Sequence, residues 1–101
     1  MTTALYAGSF DPITKGHLDI VKRAAAIMDR VVLAVFDSPD KTLTFSTPER
    51  LGLCEKSVHN MINVEVTAYS GLTVEFARKV GASVMIRGLR SITDLDYEAA
   101  M

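Results

Sequence analysis

The sequence predicts an α/β domain built on a doubly wound parallel sheet, and three observations carry that prediction. Short apolar runs alternate with segments of helical period through four repetitions, which implies right-handed crossovers between parallel strands. Val31-Val-Leu-Ala-Val-Phe36 is apolar without alternation, as a strand covered on both faces must be. A polar turn, Gly8-Ser-Phe-Asp-Pro-Ile-Thr-Lys-Gly-His17, joins the first apolar run to the first helical segment. In sheets of this kind, ligands bind outside the carboxyl ends of the strands, where the strand order reverses.

The elements follow in order. Ala4 to Ala7 reads as a buried strand that stops at Gly8, where a missing side chain lets the backbone turn and approach a ligand. Leu18, Val21, Ala25 and Met28 recur at three and four residues and predict the buried stripe of the first helix. Val31 to Phe36 is the second strand. Asp37 to Phe45 is a loop, long for an α/β connection and so a candidate for function. Thr47 as N-cap, Pro48 as the first helical residue and Glu49 as an acid in the first turn open a second helix, with Leu51, Cys54, Val58 and Met61 as its buried stripe. Ile62 to Tyr69 has the β-branched content of a third strand. Ser70-Gly71 turns the chain into a short helix, Leu72 to Val80, which Gly81 ends at C′. Ser83 to Ile86 is the fourth strand. Ser91 and Asp94 have capping-box spacing and start a last helix from Ile92 onward.

Composition removes several functional classes. With 101 residues the expectation is one domain, spanning 1–101. A formal charge of −1 argues against a nucleic-acid surface, which needs a basic excess. The longest apolar run, Val31 to Phe36, is too short to span a membrane, and no signal peptide is visible at the N-terminus. One cysteine, Cys54, and two histidines argue against a disulfide framework and a structural zinc site, so a cytoplasmic setting is expected.

The first and fourth strands are the expected neighbours at the switch point, and their carboxyl ends carry Gly8-Ser-Phe-Asp and Arg87-Gly-Leu-Arg. Thr14, Gly16 and His17 stand where the first helix begins, so free amide N–H groups and the positive dipole end face outward there. His17 adds an imidazole donor off the apolar stripe, a place suited to stabilising charge rather than the fold. Ser9 supplies a hydroxyl beside Gly8. Arg87 and Arg90 supply planar forks suited to phosphate, whereas Lys41 in the second loop reads on its own as a solvated charge. Cys54 lies on the helix stripe, and no Ser-His or Cys-His pairing suggests a covalent nucleophile.

Gly8-Ser-Phe-Asp-Pro12 with Thr14-Lys-Gly-His17 resembles the nucleotidyltransferase superfamily signature, G-[ST]-F-D-P followed by H-x-G-H or T-x-G-H. Arg87-Gly-Leu-Arg90, followed by Asp94 and Asp96-Tyr-Glu98, is similar to the R-G-[LI]-R-x-x-x-D-x-x-[YH]-E segment of the phosphopantetheine adenylyltransferase family. Ser38-Pro-Asp-Lys41 with Phe45 resembles that family's P-x-K-x-x-x-F loop, and the likeness runs through all 101 residues without a gap. The resemblance implies a Rossmann-like nucleotidyltransferase of coenzyme A synthesis. Such an enzyme transfers AMP from ATP to 4′-phosphopantetheine, works with Mg²⁺ and assembles as a homo-oligomer, a hexamer in the family. It further implies that Ser9 contacts both substrates and that the Phe10 backbone lies over the nucleotide. His17 would bind ATP and stabilise the transition state. Lys41 and Arg87 would hold the phosphate of phosphopantetheine with Thr73 beside its arm, while Gly88, Leu89, Arg90 and Glu98 would line the ATP site.

One departure accompanies the match. Family chains continue into a fifth strand and a serine-rich loop at the ATP phosphates, both absent here, which implies a chain shortened at its C-terminus. Two rivals stand beside the adenylyltransferase reading: a catalytically silent nucleotide- or phosphate-binding fragment, and a sister enzyme acting on nicotinate mononucleotide or glycerol 3-phosphate. Thr14 stands where related enzymes carry a first histidine, and Lys41, Arg87 and Tyr97-Glu98 also speak against the sister enzyme.

Overall fold

Alternate side chains of a strand point to opposite faces of its sheet, and the apolar runs of this chain use both faces. A computed structural model describes residues 2–37 and 42–86. It contains β1 (Thr3–Gly8), α1 (Lys15–Ile27), β2 (Arg30–Phe36), α2 (Thr47–Val58), β3 (Val64–Tyr69), α3 (Thr73–Val80) and β4 (Val84–Ile86). The strands form one parallel sheet in the order β3-β2-β1-β4. Tyr6 of β1 pairs with Leu33 of β2 on one side and Ile86 of β4 on the other. The chain therefore winds outward from β1 to β3, then crosses back through α3 to β4. The reversal falls between β1 and β4, as the sequence predicts. This is a Rossmann-like, doubly wound arrangement.

Tyr6, Leu33 and Val35 face α1 and α2, closing a core with Val21, Cys54 and Val58. Leu5, Val32 and Ala34 face the other way and pack with Tyr69 of β3 and Ala77 of α3. Burying an aliphatic side chain of this size is worth about 1.5–3 kcal/mol. The two-sided cover thus explains why β2 has no polar face. Among the described residues, no helix is long and apolar enough to cross a membrane.

Several sequence expectations shift in detail. Ser46, not Thr47, caps α2: its backbone is extended, its Oγ accepts from the Glu49 amide at 3.3 Å, and Glu49 reaches back to the Ser46 amide at 3.0 Å. Thr47 is already helical and cannot be the cap. On α1 the buried positions are Val21 and Ala24, with Ala25 only half-buried and Met28 at the C-cap. The α2 stripe is Arg50, Cys54 and Val58, while Leu51 and Met61 pack at its margin. β3 starts two residues later than predicted. The Met61 amide donates to the Val58 carbonyl and the Val64 amide to that of Met61, so this stretch is a turn and Ile62 is fully exposed. Gly8 ends β1 without a left-handed backbone; the positive φ of the turn, 46°, falls on Phe10. Gly81 does end α3 in the left-handed conformation, at φ 75°. The Arg87–Arg90 loop and the helix from Ile92 lie outside the described residues.

Candidate active site

The turn after β1 encloses a cavity of about 340 Å³ at the carboxyl edge of the sheet, walled by Tyr6, Ala7, Gly8, Ser9, Phe10, Asp11, Pro12 and His17. A larger depression of about 550 Å³ lies between α3 and the β2–β3 strands, but its Arg30 and Glu65 are paired with each other. The smaller cavity is the one at the carboxyl end of β1 and the start of α1, and His17 and Ser9 both line it.

His17 is the third residue of α1 and is tied to the cap. The Thr14 amide donates to its Nδ1 at 3.0 Å, and the Thr14 hydroxyl accepts from the His17 amide at 3.4 Å. An Nδ1 that accepts carries no proton, so in the neutral ring the proton sits on Nε2, which has no partner among the described residues. Burial pushes the imidazole pKa below its ordinary value near 6.5, which keeps the ring neutral at pH 7. The ring stands edge-on to Phe10, with centroids 5.0 Å apart, and more loosely to Tyr6 at 6.2 Å. His17 thus also holds the helix start, a role that its position off the apolar stripe concealed. The cap leaves the Lys15 and Gly16 amides without intrahelical acceptors, and no acidic residue occupies the first turn to oppose an anion.

Phe10 is buried, and its positive φ turns the chain so that the ring goes inward while Ser9 stays exposed. A Cβ on Gly8 would meet that ring at 3.4 Å, so the space glycine leaves is taken up by the phenyl group. The Tyr6 hydroxyl is buried without a partner among the described residues, and burial pushes its pKa up to about 12.

Two residues that sequence reasoning gave no role organise the rim. Arg50 is 1% exposed. It donates to the Ser9 carbonyl at 2.8 Å, the Phe36 carbonyl at 2.9 Å, the Phe45 carbonyl at 3.1 Å and the Thr47 hydroxyl at 2.8 Å. Asp11 accepts from the Thr44 amide at 2.6 Å and the Phe45 amide at 2.7 Å. A signal for Arg50 was present: it lies four residues before Cys54, so a guanidinium had to sit on a buried face.

Ser9, Phe10 and His17 therefore share one cavity. Thr73 is at the same edge of the sheet but beyond β2, at the start of α3, where its hydroxyl lies 3.0 Å from that of Tyr69. Lys41, Arg87, Gly88, Leu89, Arg90 and Glu98 lie outside the described residues. Among the described residues no cluster of histidine, cysteine and carboxylate side chains could hold a metal ion.

A parallel sheet with a helix N-terminus opening at its switch point is an arrangement shared by nucleotide-handling α/β proteins. The chain belongs to the cytidylyltransferase-like family, whose model matches residues 5–101. It is 54% identical over all 101 residues to phosphopantetheine adenylyltransferase of Chloroflexus aurantiacus, covering 63% of that protein. With the enzyme of the same name from Alkaliphilus metalliredigens it shares 46% over the same span, 64% of that protein. The chain thus spans less than two thirds of the length of these curated relatives. Among solved structures, a bifunctional NMN adenylyltransferase/ADP ribose pyrophosphatase from Francisella tularensis matches with a TM-score of 0.64. That match has 15% identity and covers 85% of this chain and 31% of the other, so it speaks to the fold alone.

Proposed function

We propose that this chain belongs to a phosphopantetheine adenylyltransferase, transferring AMP from ATP to 4′-phosphopantetheine with release of pyrophosphate. The observation that carries the chemistry is the His17 ring, neutral and held by Thr14 with its Nε2 free beside the first turn of α1. The substrate assignment is supported by the relatives' name at about half identity over the whole chain.

Adenylyl transfer asks the protein for position and charge stabilisation rather than for a covalent partner. An oxygen of the phosphopantetheine phosphate attacks the α-phosphorus in line, and the bond to the pyrophosphate oxygen breaks. Negative charge grows on the equatorial oxygens as this happens. The His17 Nε2–H and the free α1 amides are donors suited to that charge, each worth about 3 kcal/mol by analogy with oxyanion sites. Holding both reactants in line supplies about 7–11 kcal/mol more. Cys54 takes no part: it is fully buried, and burial pushes its thiol up to about 11. A protein-held Mg²⁺ does not fit the described residues. Asp11 is the carboxylate at the cavity, and it already accepts from two backbone amides. Lys41, Arg87 and the Gly88–Arg90 and Glu98 groups enter this reading through the family resemblance.

The intact protein, given ATP and 4′-phosphopantetheine, is expected to form dephospho-coenzyme A and pyrophosphate in equal amounts. Pyrophosphate release with nicotinate mononucleotide or glycerol 3-phosphate, and none with phosphopantetheine, would overturn the substrate assignment.

A further inference from the structure

We propose that Arg50 is a positioning residue that, together with Asp11, locks the two loops of the site into one rigid rim. Three carbonyls meet its guanidinium: Ser9 from the turn after β1, Phe36 from the end of β2 and Phe45 from the far end of the following loop. A planar fork with donors in fixed directions serves three such acceptors only when their spacing is held. Asp11 closes the circuit from the opposite side, binding the Thr44 and Phe45 amides from within the first turn. The two loops are thus joined by bonds running in both directions.

Core filling does not explain this arrangement. Burying a guanidinium is costly, and among the described residues no carboxylate pairs with it directly. It reaches Asp37 through Thr47, whose hydroxyl accepts from Arg50 and donates to Asp37 at 2.8 Å. An aliphatic residue would fill the stripe above Cys54 and Val58, but would leave the three carbonyls unjoined. What the charge achieves is a fixed separation between the Ser9 side of the cavity and the Phe36 and Thr44–Phe45 ends of the following loop. The catalytic part of the proposal rests on the adenylyltransferase reading, in which both sides of this rim face the reactants.

Arg50→Lys in the intact protein keeps the charge and loses the fork. Native-state amide exchange should speed up about tenfold or more at Thr44 and Phe45, with Val32 and Leu33 in the sheet unchanged. In steady state, kcat should fall about 10- to 100-fold, because a small misplacement of in-line reactants is costly. Binary ATP affinity, measured by calorimetry, should stay within about threefold because the donors at α1 are untouched. Arg50→Ala leaves a space that added guanidinium ion can enter, and sub-denaturing guanidinium, but not urea, should restore part of kcat. Unchanged exchange at Thr44 and Phe45 in Arg50→Lys would overturn the lock, whether or not the wild type turns over. An exchange response with normal kcat in Arg50→Lys would overturn its bearing on catalysis. A wild type inert toward ATP and phosphopantetheine would instead refute the function and leave the exchange result to decide the lock. If Arg50→Ala fails to fold, the Arg50→Lys exchange and kinetic results still decide.

Discussion

His17 is where the geometry makes the sharpest demand, because one ring is asked both to cap a helix and to meet a ligand. Replacing it by alanine removes the acceptor for the Thr14 amide and the edge contact with Phe10 at 5.0 Å. The lost hydrogen bond is worth about 1 kcal/mol and the ring contact about 0.5–1.5 kcal/mol. Alanine's better helix propensity returns about 0.5 kcal/mol. The net loss should be about 1–2 kcal/mol, read as a lower urea midpoint at unchanged m-value. In the intact protein kcat should fall about 100-fold or more, which is about 2.7 kcal/mol of transition-state stabilisation. Glutamine separates the two roles. At the third position of α1 its side-chain oxygen can reach back to the Thr14 amide, as Glu49 does to Ser46 in α2, so most of the stability should return. With that oxygen turned to the Thr14 amide, the remaining N–H₂ of a flexible side chain is not held where the ring holds Nε2, so kcat should remain at least about tenfold down. Stability should also depend on pH through this ring. The folded pKa is depressed below 6.5, so the unfolded chain binds the extra proton first. His17's contribution is complete above that value and is lost as pH falls through the folded pKa, a slope that His17→Gln should remove. If His17→Gln restored turnover together with stability, the fixed imidazole would not be what the reaction requires.

Three further outcomes follow from the burial pattern. Tyr6 should resist ionisation: phenolate absorbance lost in a Tyr6→Phe variant should be the part that appears only near pH 12, and the stabilisation by Tyr6, intact below the unfolded value of 10.0, should be lost as pH rises through the folded one. Early titration of all tyrosines in the native protein would refute its burial. Cys54, with its thiol pushed up to about 11, should react with a disulfide reagent only at the rate of unfolding, so labelling should accelerate in step with added urea. Leu33→Ala, at a fully buried position in a central strand, should cost about 3 kcal/mol in urea unfolding, and a loss below about 1 kcal/mol would mean that the α1–α2 face is not closed over it.

How much of this was legible beforehand depends on the range of the interaction that decides each feature. Strand and helix identity comes from periodicity along a few residues, so β1, β2, α1 and α2 could be read from the spacing of apolar side chains. The cap of α2 was readable too, since Ser46 has Glu49 three residues on, but Thr47 beside Pro48 was the competing choice and only the backbone angles decide between them. The Thr14–His17 cap is equally local; histidine is simply not the residue usually found at that spacing. The start of β3 was misplaced because β-branched content cannot register the turn at Met61–Val64. The direction of the chain at Phe10 was likewise hidden, because its positive φ is imposed by packing against Tyr6 and His17 and not by glycine. Arg50 is the clearest limit. Its place on the buried stripe follows from the sequence, but its meaning depends on carbonyls 41, 14 and 5 residues away arriving at one fork. Periodicity along the chain determined which faces are apolar and hence the sheet and its switch point. Only tertiary structure, by bringing the ends of separate strands within hydrogen-bond reach, decided which polar groups hold the site together.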